Sequence, residues 1–578
     1  MASGSPAHGP KTFEIGLVLA GSISAGAYIA GVMDFLIQAL DQWELTKNGA
    51  DPDCPRHNVS LRVMAGASGG GITAAIAAAQ LGRTFAPVTG LPATGSVNNK
   101  FFESWVERID IERLLGTRDL DADPSGDVIS ALDSFVLDDI AVEVFRFPPT
   151  SPPVARQYLA NPLHVLVTLT NLRGVPYRIH FQGEHNHLPQ MLMHGDYMRF
   201  AVGDAGGLEH EVRRLPPGQF DDPAWKTLAA AALATGAFPV GLAPRKLARL
   251  AAEYADRTWM IPEAIEQDGQ IIKCASFEEI PPVFPDPIES NPGFQYEFLC
   301  VDGGVVDNQP LELARRIIEG DRPFSSAESR GDRADHALIA IAPFPDLGEF
   351  TVSEPPVGNP FLLGIITRTL YSGIQQARFQ PQQLKFLTDE SVFNRYLIAP
   401  NREPVPGAEI QSIIASASLG AFGGFLSRAF RVHDFQLGRL NCQRFLQSSF
   451  ALPYDQMSKN PLFDEGWTDE ARRRFRIVTG PDGEDRDPGP EPGPTDRIYL
   501  PIIPVMGTAA VPVGLLDWPS YSQSELDRLR DRVETRLEAV VRRLIDRNAS
   551  NLAGRLALRA AFRLFRSHLV DKILENIT

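Results

Sequence analysis

The first 81 residues carry one local pattern twice, and that repeat narrows the choice of fold more than any other feature. Residues 13–20, FEIGLVLA, form a short apolar run that ends in the small-residue stretch 21–26, GSISAG. Residues 59–65, VSLRVMA, form another, which ends in Gly66-Ala67-Ser68-Gly69-Gly70. Short apolar runs closed by glycine turns predict strands buried on both faces. Each turn leads into a helical pattern, over 25–40 and over 69–81. Strand, glycine-rich turn and helix in repetition predict an α/β fold with a mostly parallel sheet. Further strands are expected at 163–170, 298–301 and 336–342, and helices near 226–234 and 310–319.

Charge and composition limit what such a sheet can serve. Against 55 Lys and Arg stand 71 Asp and Glu, a net charge of −16. A chain this acidic is unsuited to nucleic acid, whose binding rests on Lys and Arg. The four cysteines, Cys54, Cys274, Cys300 and Cys442, show neither CxxC nor metal-ligand spacing, so no metal site is expected and a reducing, cytoplasmic setting is. His185 and His187 read as part of a solvated loop. Residues 1–12 are polar and rich in Pro and Gly, which predicts a disordered tail without signal-peptide order. The apolar stretch 15–40 is broken by Gly21, Gly26, Gly31 and Asp34 and is not read as a membrane span. The sequence carries no signal of oligomeric state.

Three places carry chemistry. The first is Gly66-Ala67-Ser68-Gly69-Gly70, a G-x-S-x-G between a predicted strand and a predicted helix. In that setting Ser68 is a nucleophile candidate on a sharp elbow, which Gly66 and Gly70 allow by being small. The second is the turn after the first strand. Its G-x-x-x-x-G spacing resembles a phosphate loop, but Ala27 and Tyr28 stand where a lysine and a serine or threonine would be needed. A single oxyanion needs only two or three backbone N–H groups, so Gly21, Ser22 and Ile23, together with Gly69, are oxyanion-hole candidates. The third is Val301-Asp302-Gly303-Gly304, at the end of the strand FLCV. Gly303 and Gly304 leave the Asp302 carboxylate presented in a crevice, a candidate base for Ser68 that would need hydrogen-bond reach to it. His336 and His433 follow Asp302 in the order of a Ser–Asp–His triad, but only one strand precedes the Ser68 strand, which disfavours that fold.

Together these motifs resemble the patatin-like phospholipase family, in a bacterial patatin-related subgroup. Gly26-Ala27-Tyr28 and Ala30-Gly31-Val32 match the tail of the family's oxyanion loop, Ser68 its nucleophile and Asp302 its catalytic aspartate. Asn308 and Pro310 match the N-x-P that follows the aspartate, and the segment 234–239, ATGAFP, matches its small-residue segment. Ser22 and Ile23 replace two glycines of the family loop, and Ala25 replaces its basic residue. The resemblance implies a three-layer patatin-like domain with a central, mostly parallel sheet over 13–345. Insertions around 85–160 and 245–295 would form a lid or wall. It also implies a cofactor-free serine acyl hydrolase cleaving fatty-acyl esters of lipids through a Ser–Asp dyad. The alternative is a weakly active or inactive patatin-fold protein that binds lipid or protein partners; acyl transfer to an alcohol or thiol is a third reading.

The remainder reads as a largely helical C-terminal region: a helical stretch at 346–479, a Pro/Gly-rich linker at 480–497, and a strand and helices over 498–578. The linker, GPDGEDRDPGPEPGPTDR, cannot pack a core and is expected to be mobile or extended. Asp434 and Arg439 read as a structural pair. Arg555, Arg559, Arg563 and Arg566 recur at helical spacing opposite Leu558, Phe562 and Phe565, so peripheral contact with a membrane is possible there; a helix packed on the protein is the plainer reading.

Overall fold

The computed structural model describes residues 11–570 apart from several segments. The longest of these are 180–189, 321–328, 345–371, 378–391, 403–412 and 481–491 except 485–486; of the strand residues 260–278 only the backbone is described. His185 and His187 lie outside the described residues, as does Arg563.

The predicted repeat is present. Strand β1 (Thr12–Leu19) leads through a tight turn into helix α1 (Gly26–Lys47). Strand β2 (Asn58–Gly66) leads directly into α2 (Ser68–Gln80). Then come α3 (Phe135–Val144), β3 (Leu159–Arg178), β4 (Gln190–Val202), β5 (Val212–Leu215) and α4 (Pro223–Thr235). Strand β6 (Arg245–Leu250) precedes a separate two-stranded pair, β7 (Trp259–Gln267) and β8 (Gln270–Ile280). Strand β9 (Gln295–Asp302), α5 (Leu311–Glu319), β10 (His336–Ile341) and β11 (Arg395–Ile398) follow. The main sheet has nine strands, in the order β11-β10-β1-β2-β3-β4-β5, with β9 pairing with β3 and β6. The run from β11 to β3 is parallel throughout. Antiparallel pairing begins where β3 meets β4 and β9.

Both faces of the sheet are covered, which explains why β1 reads as a continuous apolar run. Phe13, Ile15, Leu17 and Leu19 enter the large core shared with α1, α2 and α4. Val18 points the other way, into a small core with Val63, Leu338, Leu311 and Ala314 of α5. The result is a three-layer α/β arrangement with a mostly parallel central sheet.

The boundary expected at 345 cuts through a continuous core. Strand β11 extends the main sheet, and helix α6 (Arg428–Ser448) packs on α1 in the same core, which runs on to Ala509. Two glycines let α1 and α6 approach until their backbones nearly touch. A Cβ on Gly31 would lie 1.9 Å from the Phe435 carbonyl oxygen, and one on Gly438 would lie 2.1 Å from that of Tyr28. Part of the expected linker is also structured. Residues Asp485–Arg486 pair with Ile477–Thr479, which pairs in turn with Arg497–Pro501, in a four-stranded sheet completed by Ala451–Pro453. Thr12, placed in the tail by the sequence, already belongs to β1.

The last long helix, α7 (Gln523–Asn548), starts with a capping box between Ser522 and Glu525. Behind it, Arg559 pairs with Asp546 at 2.6 Å, and Arg566 pairs with Glu534 at 2.6 Å and Glu538 at 3.0 Å. Arg555 donates to the Ala549 carbonyl at 3.1 Å. The described part of the arginine stripe is thus engaged with α7 and the residues that follow it.

Alanine is the better helix former by about 1 kcal/mol. Even so, Gly438→Ala should destabilise the protein by about 1–3 kcal/mol, because the α1–α6 contact must open. Denaturant unfolding of the variant at or above wild-type stability would contradict this packing.

Candidate active site

The site begins with crowding between two strand ends. A Cβ on Gly70 would lie 2.1 Å from the Leu19 carbonyl oxygen, and one on Gly66 2.6 Å from the backbone of Gly70. Only glycines allow β2 to turn into α2 this tightly against β1. Ser68 takes the strain of the turn: its φ is +50°, in a region that non-glycine residues seldom occupy. Its N–H donates to Thr235 Oγ1 at 2.8 Å, so the end of α4 holds the elbow.

Strand β9 ends beside this elbow. Ser68 Oγ donates to Asp302 Oδ2 at 2.6 Å, across 234 residues of sequence. The other carboxylate oxygen accepts the Gly304 N–H at 2.7 Å. The Asp302 backbone is fixed by its N–H to the Ala237 carbonyl at 2.9 Å and by Thr170 Oγ1 on its own carbonyl at 2.7 Å. The glycines beside the aspartate are small for a reason: a Cβ on Gly303 would lie 2.2 Å from the Thr168 carbonyl oxygen, and one on Gly304 2.5 Å from Asn308 Oδ1. Burial lifts the Asp302 carboxyl from its ordinary 3.8 to about 7, against the pull of the hydrogen bonds from Ser68 and Gly304. The group is a far stronger base than an exposed aspartate.

The candidate oxyanion donors divide. Gly21 is corrected: its N–H donates to the Asn308 carbonyl at 3.1 Å and is not free for an oxyanion. A side chain at 21 would also strike Asn308 Oδ1, 1.9 Å from the Cβ position, so this glycine serves close packing. The N–H groups of Ser22, Ile23 and Gly69 have no acceptor among the described residues. Ile23 sits at φ +46°, despite its branched side chain, and both Ile23 and Gly69 line the pocket that Ser68 lines. Gly69 lies in the first turn of α2, where free N–H groups and the helix dipole favour a negative oxygen.

Ser68 and Asp302 open into a pocket with about 470 Å³ of empty space, the open solvent at its mouth included. Its remaining walls are apolar: Ile72, Leu137, Trp105, Phe238, Phe422 and Phe425 supply most of them. The expected wall from 85–160 is therefore present. Phe422 and Phe425 were not foreseen; they come from the C-terminal region, more than 350 residues after the nucleophile, with no spacing to betray them. Thr235 and Trp105 were also missed as site residues. The Trp105 ring lies where a Cβ on Gly26 would be, 2.2 Å away, which explains that glycine of the first turn.

The two histidines placed by sequence order are elsewhere. His336 bonds Asp335 at 2.8 Å and Glu319 at 3.0 Å; burial would lower its pKa, but the two carboxylates raise it to about 9. His433 bonds Asp434 at 2.8 Å and also contacts Arg402. Asp434 and Arg439 do not pair with each other. Asp434 accepts from the Ala415 and Ser416 N–H groups at 2.8 Å, and Arg439 pairs with Asp34 and with Gln38. Among the described residues, no group of three or more His, Cys, Asp or Glu is placed to hold a metal ion.

Fold and site together define a three-layer α/β protein with a buried Ser–Asp pair at one end of an apolar pocket. No family model matches the chain. It is similar to the uncharacterized protein y4iI of Sinorhizobium fredii, 36% identical over 605 residues that span 97% of this chain and 80% of that relative. The chain belongs to the family of that protein.

The buried carboxylate has a measurable cost. The folded state takes up a proton on Asp302 more readily than the unfolded state, so this group's contribution is most favourable below pH 4. It is lost as pH rises to about 7. In Asp302→Asn, the amide can donate to Ser68 Oγ while its oxygen accepts from Gly304. The variant should be more stable than wild type by on the order of 2–4 kcal/mol at pH 8, with the gain gone by pH 4. Thermal melts of both proteins across that range check the sign; a gain independent of pH would contradict it.

Proposed function

We propose that the protein is a patatin-like serine acyl hydrolase that cleaves fatty-acyl esters of lipids. The observation that carries this reading is the 2.6 Å hydrogen bond from Ser68 Oγ to a buried carboxylate at the head of an apolar pocket. Ser68 Oγ attacks the ester carbonyl carbon while its proton passes to Asp302. The carbonyl oxygen becomes an oxyanion and accepts from the free N–H groups of Ile23 and Gly69, with Ser22 alongside. The intermediate collapses, the C–O bond to the alcohol breaks, and the alcohol leaves with the proton from Asp302. Water then gives a proton to Asp302 and its oxygen attacks the acyl carbon; the fatty acid departs and the proton returns to Ser68 Oγ. Every proton is carried by one carboxyl group, so its elevated pKa near neutrality suits it to act as both base and acid.

One observation favours a second reading, a catalytically weak protein that binds lipid through the same pocket. The Gly21 N–H is engaged with Asn308, which leaves fewer candidate donors than the loop offers by sequence. Loss of one such donor typically costs about 10²–10³ in rate.

Covalent labelling by a fluorophosphonate separates the two. Wild type should label at Ser68, and Ser68→Ala should not. Asp302→Asn should label at least about 10³-fold more slowly, the scale of losing one member of a catalytic unit. Folded wild type that resists labelling while still binding lipid vesicles would favour the binding protein.

The labelling rate should also depend on pH. Only the carboxylate form of Asp302 accepts the Ser68 proton, so the rate should climb from pH 5.5, pass half its maximum near pH 7 and level off above about 8. A profile that is flat across that range would show that a group of ordinary carboxylate pKa, and not this one, limits the step.

A further inference from the structure

A second apolar pocket adjoins the first. It lies between α2, α3 and α4 and shares two lining residues with the Ser68 pocket, Ile72 of α2 and Leu137 of α3. Its other walls continue along the same helices. Ile76 stands one turn beyond Ile72 on α2, and Ile140 and Val144 continue the Leu137 face of α3. Small side chains keep it open: Ala75 from α2, Ala141 from α3, and Ala229 and Ala232 from α4. Phe145, eight residues on from the shared Leu137, is the last lining residue on the α3 side, and its ring packs 6.0 Å from that of Phe220 and 5.6 Å from that of Trp225.

We infer that this slot holds the acyl chain of the substrate and that Phe145 sets the length of chain it takes. The inference rests on the hydrolase reading and deepens it. Three observations argue for this occupant. The slot shares Ile72 and Leu137 with the pocket that Ser68 lines, so apolar walls run from one into the other. Its named walls are Ile, Leu, Val, Phe and Ala, which offer no side-chain partner to a polar ligand. Its α2 walls, Ile72, Ala75 and Ile76, follow one face of that helix, as an unbranched chain requires. From Ser68 to Ile76 the helical rise gives about 12 Å. That is the reach of roughly ten carbons joined by bonds of ~1.5 Å in zigzag. Ala141, Ala229 and Leu233 are partly exposed, so the slot also has an opening to solvent along its length.

The test uses the full chain and p-nitrophenyl esters of straight-chain acids from four to sixteen carbons. The readout is the ratio of kcat/KM for long over short chains, which cancels differences in the fraction of active protein. In wild type this ratio should climb with length up to about ten to twelve carbons and then flatten. Ala141→Phe and Ala229→Phe fill the slot from opposite walls, both at partly exposed positions that tolerate a larger side chain. Each should lower the ratio of dodecanoate to butyrate by about tenfold or more, the scale on which apolar pockets discriminate chain length. Phe145→Ala should act in the opposite direction and raise the ratio of hexadecanoate to dodecanoate. Because the variants are expected to shift selectivity in opposite senses, a general loss of folding cannot mimic the pattern. Butyrate turnover in wild type that is lost in Ser68→Ala, together with unchanged ratios in all three slot variants, would overturn the slot and leave the hydrolase standing. Absence of any Ser68-dependent turnover would overturn both.

Discussion

The structure depends on backbone crowding where β1 and β2 end. The Leu19 carbonyl lies where a side chain at position 70 would be, and the Gly70 backbone lies where one at position 66 would be. The bare glycines let β2 turn at once into α2 against the end of β1, and Ser68 takes a positive φ in that turn. Such strain persists where surrounding contacts over-determine it. Here Thr235 holds the Ser68 N–H and the carboxylate of Asp302 holds its hydroxyl. Gly69 is bare on its outer side, so that Ser22 and Trp105 can close over it. The position of Ser68, the free N–H groups and the pocket roof all follow from that one steric constraint.

The apolar walls do two things at once. They form the pocket, and they keep water from Asp302, which is why its carboxyl titrates near neutrality. A more polar wall would return the carboxyl toward its ordinary range and weaken it as a base. Much of that wall is neither in the sheet nor in α1 and α2. Trp105, Ile109, Leu114 and Leu132 come from the stretch between α2 and β3, a region built largely of short helical segments. Helices of one or two turns are marginal by themselves and need outside support.

How much of this could be read from the sequence follows from how local each determinant is. β1, β2, β10 and the two early helices were legible because apolar runs and, after β1 and β2, glycine turns act within a few residues. Ser68 and Asp302 were legible because each sits at a strand end beside glycines, where a side chain is presented to a crevice. The role of Gly21 was misread, because its N–H partner is the carbonyl of Asn308, and a backbone acceptor leaves no mark on residue type. Thr235 was visible only as one small residue among others. Phe422 and Phe425 were invisible as site residues, since nothing within their own segment says that it will reach a pocket otherwise lined by residues between 23 and 302. The placement of a boundary at 345 failed for the same reason. Gly31 and Gly438 announce close helix contact only once the two helices are seen together.

The C-terminal region supplies the support that the wall lacks, and it does so with buried guanidinium groups. Arg431, at the start of α6, donates to the Val106 carbonyl at 3.0 Å and to those of Gly424 and Phe425 at 3.0 and 3.1 Å, and it pairs with Asp110. It thus ties the Trp105 segment to the Phe425 segment. Arg536 of α7 donates to the carbonyls of Gly116, Ala131 and Ser130 and pairs with Asp119, fixing the loop that carries Leu132. A planar group with five donors in a fixed fork is suited to gathering several loop carbonyls at one point. Both side chains are almost wholly buried, so removing either would leave several backbone acceptors unpaired as well as one carboxylate. The N-terminal motifs place Ser68 and Asp302, and the last 150 residues hold the wall that buries Asp302. The sheet and the C-terminal helices are thus one core whose two ends of sequence meet around the same pocket.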